Sequence, residues 1–403
     1  MVYAQAERCY QQAEDLSPND WRWTYYRALI QTERGNARAV AEILQHVVEL
    51  APDYSPAWWR LGDAEFKEAR YERARDAWQR ARSLPEPERA PIQSVPHVAE
   101  VPIAVYSSFG LARIALVRGD ATAALEFLEP IVNSAPRFGS AFRLLAETYE
   151  LQGRPQDATA ARHRANQLPP YAPYADPMVT ELARESRNST FLLRLASEAD
   201  LGVNAPWSEY LTRRALEFDP DNPDVLAKLG RILRTLGRTD EALEFFQRYH
   251  NKVPGDFQGL AQIGSALSDL GRYQEAEPFL RRALEGGDDA LTHYNLGTLL
   301  AQTGRFEEAV SEYERALALD GSDVNARGNL AVVLVRQGKL DRANRELTRI
   351  LEIDPANAPA RTNLGLVLAE QGQPDKAAQE FREALRIDPQ QIQAAEALKA
   401  LGR

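Results

Sequence analysis

Repetition at a fixed period constrains this chain more than any other feature. Asn295-Leu296-Gly297, Asn329-Leu330-Ala331 and Asn363-Leu364-Gly365 recur 34 residues apart. They are followed in turn by Gly304, Gly338 and Gly372, then by Ala309, Ala343 and Ala377, then by Tyr313, Leu347 and Phe381. The units close near Gly321, Pro355 and Pro389. A unit of this length, with a glycine turn inside it and a proline near its end, reads as a helix-turn-helix hairpin. The same register runs backwards through Leu229-Gly230, Gly237, Ala242, Phe246 and Pro254 in residues 223–256. It continues through Ile263-Gly264, Gly271, Ala276, Leu280 and Ala283 in 257–289, a unit one residue short, with Gly286-Gly287 in place of the closing proline. Further units begin near 21, 55, 105, 139 and 189, the last degenerate, with Ser208 where a small alanine is expected. Ten units result.

The spacing carries its own physics. Helix A of each unit is expected to be apolar at unit positions 4, 7, 8 and 11 and helix B at 20, 24, 27 and 28, each set falling in one narrow stripe at 100° per residue. Gly or Ala at position 8 and Ala at position 20 let the two helices approach closely, and proline at position 32 ends helix B. One hairpin cannot bury both stripes, so neighbouring units must stack. The predicted fold class is an all-α solenoid.

Around this array the sequence divides as follows. Residues 1–20 read as a half repeat, with Ala6, Tyr10, Ala13 and Pro18 at positions 20, 24, 27 and 32 of a unit whose helix A would precede Met1. That reading predicts either an N-terminally truncated fragment, whose bare apolar edge invites fraying or self-association, or a first helix that docks without its partner. Two units fill 21–88, and a proline-rich insertion with Pro91, Pro96 and Pro102 fills 89–104, where no uninterrupted helix fits. Two more units fill 105–172. A second insertion, 173–188, opens with Pro173-Tyr174-Ala175-Asp176-Pro177 and reads as a short helix from Met178 to Arg187. Six units fill 189–391, and Ile392–Leu401, within 392–403, reads as a capping helix. Each insertion reads either as a spacer between stacked units or as an interaction loop.

Composition removes several functions. No run approaches the 18 apolar residues of a membrane span. A single cysteine, Cys9, and five mutually remote histidines (His46, His97, His163, His250, His293) offer no disulfide or zinc site. The net charge of −10 repels phosphate backbones, so no nucleic acid is expected. Phosphate loops, nucleophile elbows and His-Glu-x-x-His pairs are missing; no enzyme activity, cofactor or metal is expected. His293 occupies position 4, a packing position, and Asn188-Ser189-Thr190 matches a glycosylation acceptor of the kind that arises by chance. Cytoplasm and periplasm fit the composition equally.

On these motifs the chain resembles a bacterial tetratricopeptide repeat protein over nearly all residues outside the two insertions. The last three units are most similar to the repeat arm of the O-linked GlcNAc transferases, in which an asparagine at this helix A position lines the inner groove and holds a peptide backbone. Here those positions are Asn295, Asn329 and Asn363. None of the residues given reads as a glycosyltransferase domain. The resemblance implies a right-handed superhelix that recognises proteins, with positions 2, 5, 6, 9, 12 and 13 of helix A on the concave face.

Position 6 on that face reads Tyr26, Arg60, Gly110, Leu144, Arg194, Lys228, Gln262, Asn295, Asn329 and Asn363. A side-chain amide offers one acceptor and two donors, the complement of a peptide unit. A ladder of amides can therefore hold an extended chain without reading its sequence. Arg194, Lys228 and Arg231, with Arg60 and Arg143 upstream, form a cationic stretch suited to acidic residues or a C-terminal carboxylate. The family's carboxylate clamp is not matched, because Ala227 stands where its first lysine is expected. The expected peptide groove is thus Tyr26, Arg60, Arg194, Lys228, Arg231, Gln262, Asn295, Asn329 and Asn363, on a non-catalytic interaction scaffold. The alternative is the repeat arm of a larger enzyme or envelope assembly.

Overall fold

The structure, a computed structural model, describes residues 2–87, 101–169, 176–201 and 204–402. Every regular element among them is an α-helix, and the chain forms two compact units, Met1–Asp219 and Pro220–Arg403. The first opens with α1 (Val2–Leu16) and continues as hairpins α2–α3 (Trp21–Glu33, Ala37–Leu50), α4–α5 (Ser55–Lys67, Tyr71–Ser83), α6–α7 (Ile103–Val117, Ala121–Ser134) and α8–α9 (Gly139–Leu151, Pro155–Asn166). A short helix, α10 (Pro177–Glu185), precedes the hairpin α11–α12 (Ser189–Leu201, Ala205–Phe218). The second unit comprises α13–α14 (Pro223–Thr235, Thr239–Lys252), α15–α16 (Phe257–Asp269, Tyr273–Leu284), α17–α18 (Ala290–Gln302, Phe306–Leu319), α19–α20 (Val324–Arg336, Leu340–Ile353) and α21–α22 (Ala358–Glu370, Pro374–Ile387), closed by α23 (Ile392–Ala400). The fold is an all-α solenoid of stacked hairpins.

Local chemistry sets the helix ends. Most A helices begin at an Asp or Asn whose side chain takes the first free amides: Asp323 Oδ1 accepts from Asn325 N (2.8 Å) and Ala326 N (3.0 Å). Such a cap contributes about 1 kcal/mol. Asn188, the supposed glycosylation acceptor, serves the same purpose, its Oδ1 accepting from Phe191 N at 2.9 Å. The turns between helices A and B use the left-handed region, with φ of 78° at Gly304. In the second hairpin that place is held by Ala69 at φ 56°, which carries the steric cost that glycine avoids.

Hairpin packing turns on the small residue at position 8 and the large one at position 24. A Cβ on Gly62 would lie 2.5 Å from the Trp78 indole, and one on Gly110 of α6 would meet the other side of the same ring at 2.5 Å. Trp78 is 1 % exposed. It therefore joins α4 and α5 to α6, which packs on both of them, so the stack continues past the first insertion. Residues 88–100, with Pro91 and Pro96, lie outside the described residues, as do Pro173, Tyr174 and Ala175. Ser208, out of pattern in the degenerate unit, is fully buried because its hydroxyl donates to Ala196 O at 2.9 Å.

Two expectations need correction. The apolar face of α1 is not bare: Tyr10 packs on Trp23 and Tyr26 of α2, with ring centroids 6.3 and 5.4 Å away, and Ala6 and Ala13 are half-buried. Helix α1 packs on α2, the helix that follows it. Position 4 is also not apolar throughout. In the last three hairpins it is His293, Arg327 or Arg361, paired with a glutamate 19 residues on: Glu312 (2.6 Å), Glu346 (2.6 Å) and Glu380 (2.9 Å). The two preceding units carry Leu226 with Phe245 and Leu260 with Phe279 at those register positions. Apolar residues at these register positions are replaced in the last three hairpins by an ion pair that ties helix A to helix B.

Candidate docking face

The residues expected to line the groove fall into two sets, one in each unit. In the first, the A-helix face of α2 and α4 is occupied by the chain itself. Asp176, 6 % exposed, accepts from Tyr25 OH (2.6 Å), Tyr54 OH (2.8 Å) and Arg60 Nη2 (2.9 Å) and Nε (3.2 Å). The same carboxylate caps α10, taking Met178 N at 3.2 Å and Val179 N at 3.4 Å. Met178 packs on the core around Tyr25, Leu44 and Leu61, and its sulfur lies 3.9 Å from Tyr26 OH. Arg60 Nε also bonds the Tyr25 hydroxyl at 2.8 Å. Arg194, on α11, joins Glu33 of α2 (2.9 Å) and Glu198 (2.5 Å).

Electrostatics follow burial here. Desolvation pushes the phenols of Tyr25 and Tyr54 well above the ordinary tyrosine range, and the Asp176 carboxylate beside them adds to the rise. Burial, with a smaller contribution from Glu181, raises Tyr26 likewise. Glu33 is raised by burial, against the pull of Arg194. Tyr25, Tyr54 and Asp176, which complete this cluster with Arg60, are not among the expected groove residues. Tyr25 stands at position 5 of its helix, on the same face as Tyr26, so the register does contain that part of the signal.

In the second unit the amides stand in order on α15, α17, α19 and α21. Asn295 Nδ2 donates to Ser265 Oγ at 2.8 Å, and Asn329 Nδ2 donates to Tyr294 OH at 3.2 Å. Each amide is thereby fixed by a side chain from the preceding helix A. The carbonyl oxygens of Asn295, Asn329 and Asn363 accept no hydrogen bond among the described residues, and all three side chains are half-buried. Gln262 Oε1 is buried without a partner. Lys228 is 8 % exposed, whereas Arg231 is open to solvent. Among the described residues no group of His, Cys, Asp and Glu could hold a metal, and no helix is long and apolar enough to cross a membrane.

Sequence profiles described as tetratricopeptide repeat match residues 3–55, 106–130, 211–244, 257–322, 288–356 and 329–392, more than half of the chain in all. The chain belongs to the tetratricopeptide repeat family. Proteins of this family act as protein-interaction scaffolds and are generally not catalysts. No curated protein matches the chain in sequence. Among solved structures, a chain of the APC/C hetero-tetramer Cut9-Hcn1 aligns over 100 % of this chain and 93 % of its own at 13 % identity, TM-score 0.50, a likeness of fold. YrrB, described as a TPR protein with an unusual peptide-binding site, aligns over 47 % of this chain and 97 % of its own, at 24 % identity and TM-score 0.40. The type IV pilus biogenesis factor PilW aligns over 52 % and 98 %, at 20 % identity and TM-score 0.49.

Proposed function

We propose that the protein is a non-catalytic scaffold that holds an extended segment of a partner protein along the A-helix face of its second unit, with Gln262, Asn295, Asn329 and Asn363 as successive rungs. The observation that carries this reading is the state of the amides. Two are fixed by neighbouring hydroxyls through one N–H, the three asparagine carbonyls are unused, and Gln262 Oε1 lacks a donor. At Gln262 Oε1, where water is excluded, an acceptor without a donor is costly and a peptide N–H supplies what is missing; the half-buried asparagine carbonyls are acceptors a peptide can reach. Backbone hydrogen bonds of this kind select an extended conformation and leave specificity to flanking side chains, of which the exposed Arg231 favours an acidic segment.

Replacing Asn295, Asn329 and Asn363 together by alanine is expected to weaken partner binding by about 0.5–1.5 kcal/mol for each neutral hydrogen bond lost. The helices should persist, because none of these side chains fills the core. Calorimetric titration of the partner with wild type and triple variant, beside their melting curves, checks this. Equal affinities with equal melting temperatures would refute the ladder.

A further inference from the structure

The geometry points to a carboxylate-specific docking site on the A-helix face of α2 and α4, made for a partner segment that begins a helix with an aspartate and held closed by the chain's own segment of that type. This inference rests on reading the A-helix face as a docking surface, and it concerns the first unit alone. Two phenols and a guanidinium, from residues 25, 54 and 60, converge on one carboxylate from a segment more than a hundred residues further along the chain. All three groups donate, and Tyr25 is completely buried, so the cluster is matched to an anion. An amide in that place would turn its NH₂ group toward donors.

Helix α10 has the properties of an occupant rather than of a repeat. It is nine residues long, belongs to no hairpin, and keeps Glu181 and Glu185 in solvent while burying only Ala183 fully. Besides Asp176 it is held by Met178 against the Tyr25 cluster, by the buried Ala183 with half-buried Val179 and Leu182, and by the Arg214 Nη2 bond to Arg184 O at 2.6 Å. Its main anchor is Asp176, which also caps its first turn, so docking and helix formation share one carboxylate. An element held this way opens with less free energy than the helices beneath it. The partner segment is therefore defined by the same chemistry: an aspartate at a helix N-cap, with an apolar side chain two residues on to take the Met178 site. The family's carboxylate clamp is not matched in the sequence, and a cluster of different residues holds a carboxylate on the A-helix face of α2 and α4.

The test uses the full chain and a fluorescent, N-acetylated peptide of residues 176–186 as probe. A covalently attached occupant competes at an effective concentration on the order of millimolar. Wild type is expected to bind the probe at least about tenfold more weakly than D176N, which withdraws the charge of the resident segment. Adding R60A to D176N, or placing Asn at the first position of the probe, should abolish binding. Equal binding by wild type and D176N, including no binding by either, would overturn the proposal. Hydrogen exchange on the unmodified chain gives an independent decision if D176N folds poorly. Amides of Thr180–Glu185 should exchange faster than those of α2 and α4, and matching protection would identify α10 as a fixed brace. A negative result here, with the asparagine triple variant still impaired, would sink this site and leave the amide ladder standing.

Discussion

Trp78→Ala should lower the stability of the first unit by about 3–5 kcal/mol, the range for removing a fully buried large aromatic. The indole is 1 % exposed, lies between Gly62 and Gly110, contacts Phe66 at 5.6 Å between centroids, and donates Nε1–H to Trp59 O at 3.2 Å. Neither glycine has a side chain that could move into the vacated space, so the cavity stays. The effect should also reach beyond one hairpin, because Trp78 is what α6 packs on after the first insertion, and coupling in a solenoid passes only between neighbours. Urea unfolding followed by far-UV circular dichroism measures it. A loss below about 1 kcal/mol would mean that α4, α5 and α6 collapse around the gap.

Raising the pH above 10 should unfold the first unit before the second. A phenol whose folded pKa exceeds its unfolded value of about 10 contributes stability that is complete below pH 10 and lost as the pH climbs toward the folded value. Each such proton is worth about 1.4 kcal/mol per pH unit, so Tyr25 and Tyr54 alone give a slope of about 3 kcal/mol per unit. Tyr10, Tyr26 and Tyr149 in the same unit are raised as well, all chiefly by burial. In the second unit the raised tyrosines among the described residues are Tyr313 and Tyr249, the latter pushed up to about 12 by burial and by its bond to Asp256. All six tryptophans lie in the first unit, at 21, 23, 58, 59, 78 and 207. Tryptophan fluorescence should therefore change at lower pH than the helical signal of the whole chain. Fluorescence unchanged to pH 12 would show that the tyrosine cluster is not closed to solvent.

Most of the fold is readable in the sequence because a repeat states its contacts at fixed offsets. Gly62 with Trp78, Gly230 with Phe246 and Gly365 with Phe381 are one contact repeated, and any one of them predicts the others. The ion pairs at position 4 obey the same logic, with a base and a glutamate 19 apart recurring at His293, Arg327 and Arg361, but a purely apolar template for helix A does not contain them. The Asp176 cluster is a different case. Asp176-Pro177 is legible as a helix cap, yet its partners lie 151, 122 and 116 residues away at Tyr25, Tyr54 and Arg60, outside any repeat offset. Arg60 and Arg194 were placeable on a helix face from register alone; that they meet Asp176 and Glu33 depends on how the first unit folds back on itself. The amide ladder was readable in position, whereas the hydroxyls that orient it, Ser265 and Tyr294, emerge only from the stacking of one A helix on the next.

The central claim is that the A-helix face of the second unit is where a partner binds. A photo-crosslinking amino acid placed in the full chain, in turn at Asn329 and Asn363 on that face and at the exposed Arg349 and Arg382 on the B helices, tests it most directly. The account predicts a discrete partner adduct from Asn329 and Asn363 and none from Arg349 and Arg382. Adducts confined to Arg349 and Arg382 would contradict it.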